Sequence, residues 1–213
     1  IAIENTHNFG GGIIQPFEEI KKLHRLTAAT PIALHLDGAR IWNAHVATGI
    51  EFKDFGSYFE TISVCFSKGL GAPIGSALIA SKDLIDRARI WRKRYGGGMR
   101  QVGLLAAAAD YALTNHLSGL AQDHRRAKMI AQAIASIDAG LVNLSDVETN
   151  IIGINLQGHQ ISAAKLAEEL SNLGLLSGPL GASYLRLVTH RDIDDEKTDR
   201  ACEILSQVLR SLL

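Results

Sequence analysis

Two places in this 213-residue chain combine residue types and spacing suited to chemistry. Lys68 follows the apolar, β-branched run Thr61–Phe66 and precedes glycines at positions 69, 71 and 75. Asp37 follows Ile32–Leu36 and precedes Gly38. A lysine held at the mouth of a buried strand, among small residues, has room beside it for something flat and anionic. Once partly desolvated and deprotonated, such an amine forms Schiff bases with carbonyl cofactors.

That spacing admits a pyridoxal-phosphate lysine, and equally a Ser-Lys-Gly turn that merely closes a strand. A dinucleotide fingerprint fits poorly, because Pro73 and Gly75-Ser-Ala-Leu-Ile-Ala80 lead into another strand where the fingerprint needs a helix. In a parallel α/β sheet, ligands bind outside the carboxyl ends of the strands, so Asp37 and Lys68 can face one crevice. There an acid pairs with a protonated pyridine nitrogen and makes the ring a better electron sink. As a bare residue, Asp37 can also be a helix N-cap.

The elements that must position these groups alternate. Pro16–Leu26 reads as a helix, with Phe17, Ile20, Leu23 and Leu26 on one stripe and acids ahead of bases along the dipole. The Asp37 strand, a helix over 39–47, the Lys68 strand and a strand over 76–80 continue a β-α rhythm that predicts a mainly parallel sheet. Ser81 caps a basic helix over 82–94, and Gly96-Gly-Gly-Met-Arg100-Gln leads to an Ala-rich helix over 102–113. From about residue 120 the pattern becomes a smaller α/β domain: a helix over 123–139, a strand over 151–156, a helix over 162–173, a strand over 183–188 and a helix over 194–213. The expected domains are 1–119 and 120–213.

Composition narrows the function classes. The chain is 46% hydrophobic and 21% charged, with 22 basic and 22 acidic residues and a net charge of +0. No long basic run points to nucleic acid, no apolar run reaches membrane-spanning length, and the reading is cytoplasmic. Cys65 and Cys202 form no metal or redox motif and read as small core residues, which fits a reducing compartment; no metal ligand set is expected.

Five stretches together resemble the low-specificity L-threonine aldolases, almost from end to end of the chain. They are Glu4-Asn-Thr-His7-Asn, His35-Leu-Asp37-Gly-Ala-Arg40-Ile-Trp, Phe66-Ser-Lys68-Gly-Leu-Gly-Ala-Pro-Ile-Gly, Trp91-Arg-Lys93-Arg-Tyr-Gly-Gly-Gly-Met-Arg100-Gln and Leu185-Arg186-Leu-Val-Thr-His190. The resemblance implies an α/β, pyridoxal-phosphate-dependent transferase-like fold of type I. Its large domain would be incomplete at the N-terminus, and a small C-terminal α/β domain would follow.

It also implies that Lys68 forms the Schiff base with pyridoxal 5'-phosphate, that Asp37 meets the ring nitrogen, and that Ser67, Lys93, Arg100 and Arg40 lie near the cofactor. Arg186, with Arg40, would bind the substrate carboxylate, and His7 would sit at the substrate hydroxyl, positioning it or accepting its proton, with a water as the alternative base. Read without the resemblance, His7 is a loop residue, Arg40 a partner for a local acid and Arg186 an exposed sheet residue; His190 receives no role. The implied reaction cleaves L-threonine or L-allo-threonine to glycine and an aldehyde, reversibly. The implied partner is a second copy, in a homotetramer built as a dimer of dimers with active sites at subunit interfaces. The alternatives are a β-eliminating lyase, an aminotransferase, or an inactive fragment or assembly module.

Overall fold

Three short strands run parallel in one sheet: β1 (Ala2–Glu4), β2 (His35–Gly38) and β3 (Thr61–Cys65). Parallel neighbours need a crossover. Helix α1 (Phe17–Thr27) lies between β1 and β2 in the chain, and α2 (Ile41–Thr48) and α3 (Phe52–Gly56) lie between β2 and β3. After β3 only residues 66–75 separate it from β4 (Ser76–Ala80), too few for a crossover, and β4 pairs antiparallel to β3. The strand order β1-β2-β3-β4 is the mainly parallel α/β sheet that the β-α rhythm predicts. Helices α4 (Lys82–Arg94) and α5 (Gly103–His116) follow.

The computed structural model describes residues 1–213 in two units, Ile1–Thr6 with Ile14–Ser118, and His7–Ile13 with Gly119–Leu213. In the first unit, β3 alternates as a half-buried strand should, with Ile62 and Val64 inward. Ile20, Leu34, Leu36, Phe55 and Leu70 are buried, and Phe17 meets Phe55 edge-on at 5.3 Å, which seats α1 on α3. Two expectations shift. Leu26 is 75% exposed, and Thr27 is buried in its place, its hydroxyl donating to the Leu23 and His24 carbonyls. The second strand begins at His35, not Ile32: Leu34 N donates to the Glu60 carboxylate, and ladder pairing starts at Ala2↔His35. Gly38 therefore ends a strand opposite Val64 instead of starting a helix.

The second unit holds α6 (Leu120–Ala135), β5 (Ile151–Asn155), α7 (Ala163–Asn172), β6 (Gly178–Pro179), β7 (Tyr184–Val188) and α8 (Asp195–Leu212). Its antiparallel sheet has the order β5-β7-β6. Ser162 and Asp194 each accept a bond from the backbone N–H three residues on, Lys165 and Lys197, which fixes the starts of α7 and α8. The α6 helix stops four residues earlier than expected, and Asp138 then closes a turn by accepting from Gly140 N. Ile152, Ile154, Leu185 and Leu187 from the sheet pack with Ile130 and Ile134 of α6, Leu166 and Leu170 of α7, and Leu205 and Leu209 of α8 in one apolar core. No helix is long and apolar enough to cross a membrane.

Candidate active site

The carboxyl edge of the first unit's sheet gathers the first set of candidates. Glu4, Asp37 and Ser63 lie side by side in register across β1, β2 and β3. Asp37 is half-buried, and its Oδ1 accepts from Ala39 N at 3.1 Å, an Asx-type turn that aims the carboxyl group off the strand end. The N-cap of α2 is Arg40, whose carbonyl accepts from Asn43 and Ala44. An alanine at Gly38 would put its Cβ 3.0 Å from the Ser63 carbonyl oxygen, so the glycine lets β2 lie close against β3 just beyond Asp37.

Lys68 stands three residues beyond β3, exposed on a tight loop. Gly71 N donates to the Lys68 carbonyl, Ala72 N to Phe66 and Phe66 N to Gly75, while Gly71 and Gly75 take positive φ, 73° and 131°. Those φ values favour residues without a side chain. Below the loop Leu70 is fully buried, and its carbonyl meets His116 Nδ1 of α5 at 2.7 Å. Trp42 of α2 donates its indole N–H to the Cys65 carbonyl at 2.8 Å and stacks on Phe66, which ties the Asp37 side of the edge to the Lys68 side. Burial raises the Cys65 thiol, but the Ser67 hydroxyl and N–H, the Ser76 hydroxyl and the Lys68 charge together bring it below its ordinary value. The lysine charge, the Ser67 hydroxyl and the thiol therefore share one neighbourhood. A half-buried acid, an amine and a hydroxyl at one strand edge form a donor set that fits a planar aldehyde cofactor with a ring nitrogen.

Lys93 and Arg100 lie at the connection between α4 and α5. Both are exposed; Lys93 lies in the last turn of α4 with its stem against Gly98, 2.9 Å from where a Cβ would lie, and Arg100 precedes α5. Nowhere do three or more His, Cys, Asp or Glu side chains gather as a metal site would require.

The second unit carries the other candidates. Leu185 and Leu187 point into the core, so Tyr184 and Arg186 share the opposite face of β7. Arg186 faces Gly153 of β5 in the ladder, and the Tyr184 ring and hydroxyl cross the space that a side chain at Gly153 would fill. Burial raises the Tyr184 hydroxyl, helped by Asp146 and opposed by the nearby Arg186 charge. The segment His7–Ile13 docks in this same unit. His7 N donates to the Ile13 carbonyl and Gly12 N to the His7 carbonyl, while the Thr149 hydroxyl donates to the Gly12 carbonyl at 2.9 Å. Arg186 Nη1 donates to Asn8 Oδ1 at 2.6 Å. The His7 ring lies over Gly10, its Nδ1 2.6 Å from the position of an added Cβ.

His7 and Arg186 thus belong to one arrangement, and Asp37, Arg40, Ser67 and Lys68 to another. Trp42, Asn8, Tyr184 and Gly153 do not emerge from sequence reasoning. A lone glycine inside the apolar run Ile151–Leu156 is the one available signal, since such a residue marks close approach of another group.

Strand ends that present an acid and a lysine, and a second sheet that presents an arginine, restrict the kinship. A family model described as beta-eliminating lyase matches residues 1–157. The chain belongs to the β-eliminating lyase family. Its relatives include the low specificity L-threonine aldolase of Escherichia coli K12, 40% identical over 197 residues, which cover 92% of this chain and 56% of the relative. The low-specificity L-threonine aldolase of Candida albicans is 37% identical over 209 residues, 98% of this chain and 54% of its own length. Among solved structures, the threonine aldolase of Leishmania major superposes with a TM-score of 0.80 at 20% identity, over 98% of this chain and 60% of that one. That likeness establishes the fold. This β-eliminating lyase family member spans little more than half the length of the curated relatives it matches.

Proposed function

We propose that this chain carries part of a pyridoxal-phosphate-dependent aldolase that splits L-threonine, L-allo-threonine and related β-hydroxy-α-amino acids into glycine and an aldehyde, and joins them in reverse. The observation that carries the proposal is the placement of Asp37 at the end of β2 and of Lys68 on the loop after the adjacent parallel strand β3, in a family whose relatives bear the threonine aldolase name. When bound, the cofactor supplies an electron sink for the pair left on Cα as the Cα–Cβ bond breaks.

The residue roles follow the resemblance to the threonine aldolases, and residue chemistry supports them. Lys68 holds the cofactor aldehyde through its amine, and Asp37 keeps the ring nitrogen protonated, with Ser67 alongside. Lys93 and Arg100 serve the phosphate, Arg100 from a neighbouring subunit. Arg186, with Arg40, binds the substrate carboxylate through a planar fork and sets which bond at Cα breaks. His7 takes the hydroxyl proton as the hydroxyl carbon becomes the aldehyde carbon, and a proton delivered to Cα completes glycine. Self-association, as in a homotetramer, would cover the exposed Trp91, Tyr95, Met99, Leu104 and Tyr111 that flank Arg100 in the chain. A cytosolic setting is supported by the two unpaired cysteines, Cys65 and Cys202.

The family description favours a second reading, β-elimination, which uses the same Asp37 and Lys68. The test incubates the purified protein and its Lys68→Ala variant with pyridoxal phosphate and L-threonine, and measures glycine and acetaldehyde. Equal amounts of both from the wild type alone support the aldolase. Turnover confined to amino acids with a leaving group on Cβ would replace it with the lyase, and unchanged turnover in the variant would overturn both.

A further inference from the structure

We infer that Asn8 is a positioning residue for Arg186, holding its guanidinium ready for a carboxylate without spending its charge; this rests on the role proposed above for Arg186. The bond joins residues 178 positions apart at 2.6 Å, so it is a product of the fold and not of local sequence. Arginine carries five N–H donors in a rigid plane. With Nη1 donating to Asn8 Oδ1, the guanidinium swings less freely and the remaining donors stay available to a ligand.

The surroundings are built for this contact. Gly12 has φ 84°, and a Cβ there would stand 2.8 Å from Ile151 Cβ, so the segment carrying Asn8 lies against β5 at backbone distance. The missing side chain at Gly153 lets the Tyr184 ring cross the ladder position that pairs with Arg186. Asn8 is a neutral acceptor. A carboxylate at its position would make a stronger bond to Arg186, yet it would neutralise the charge that must attract an anionic ligand.

The experiment measures the dissociation constant of glycine by equilibrium dialysis on cofactor-loaded wild type, Asn8→Ala and Asn8→Asp, with a thermal melt of each. Asn8→Ala should bind glycine about tenfold more weakly, the equivalent of one hydrogen bond. Asn8→Asp should melt at or above the wild-type temperature and still bind glycine at least as weakly as Asn8→Ala. Wild-type affinity in both variants would overturn the inference, as would an aspartate variant that binds normally, because a purely structural contact gains from the charge. A wild-type protein that holds the cofactor but binds no amino acid would instead overturn the aldolase reading, and this inference with it.

Discussion

The two units bury their apolar residues in different ways. In the second, the sheet and α6, α7 and α8 enclose one core from Ala127 to Leu209. In the first, α4 has no buried residue and α5 buries only Ala109 and Ala112, while Ile90, Trp91, Leu104 and Tyr111 stand exposed along them. β4 shows its outer residues too, with Leu78 and Ile79 each more than 40% exposed. The second unit leaves Phe9, Leu144 and Leu176 exposed but buries one face of each long helix, whereas the first leaves large apolar side chains exposed along α4 and α5, of the kind that marks an interaction surface. The chemical candidates divide along the same line. The first unit holds Lys68 and Asp37, proposed above for bond breaking, and the second holds Arg186 and His7, proposed for recognition and proton removal.

The largest effect should come from the first unit's edge. Lys68→Ala should lower threonine cleavage by about 1000-fold or more with the fold intact, whereas Arg186→Ala should act mainly through KM. Steady-state kinetics of the pair tests the division, and equal losses in kcat from both would erase it. A smaller effect contrasts the packing. Gly12→Ala meets Ile151 at positive φ and should cost about 2 kcal/mol in denaturant unfolding. Gly96→Ala, at φ 80° with nothing within 4 Å, should cost only about 1 kcal/mol.

The complete core also makes a pH prediction. Burial, with the Lys128 charge, lowers His124 on α6 from 6.5 to about 4. The unfolded chain binds a proton near 6.5 where the folded one does not, so stability is full above that pH and falls as the pH drops toward 4. Asp123, raised by burial, acts in the opposite sense nearer its ordinary 3.8 and blunts the acid end. Between pH 7 and 5 the loss should reach about 2 kcal/mol, visible as a falling melting temperature, and His124→Gln should flatten that slope. The smallest effect on stability belongs to the open face. Leu104→Glu should change unfolding free energy by no more than about 0.5 kcal/mol yet lower the assembled mass seen in sedimentation. An unchanged mass would remove this face from the interface.

Much of this was legible because local chemistry and the fold agree. The run Thr61–Phe66, the glycines around Lys68 and the caps Ser162 and Asp194 each announce a strand, a loop or a helix start that the chain forms. The second strand was misplaced because apolar periodicity cannot say where a neighbour begins: Ile32 and Ala33 look like strand but lie exposed before the ladder. Leu26 failed for a related reason, since the helix buries the hydroxyl-bonded Thr27 instead. Of the candidate sites, single residues at strand ends could be named, but Asn8 with Arg186 and Trp42 with Cys65 are long-range bonds with no mark in either local sequence.

If Lys68 is the cofactor lysine, it is the residue that borohydride will fix to pyridoxal phosphate. Incubation of the purified protein with pyridoxal phosphate, borohydride reduction, intact mass and peptide mapping should give one adduct per chain, on the peptide that contains Lys68 and absent from Lys68→Ala. A folded protein that takes up no adduct, or takes it up only on other lysines, would contradict it.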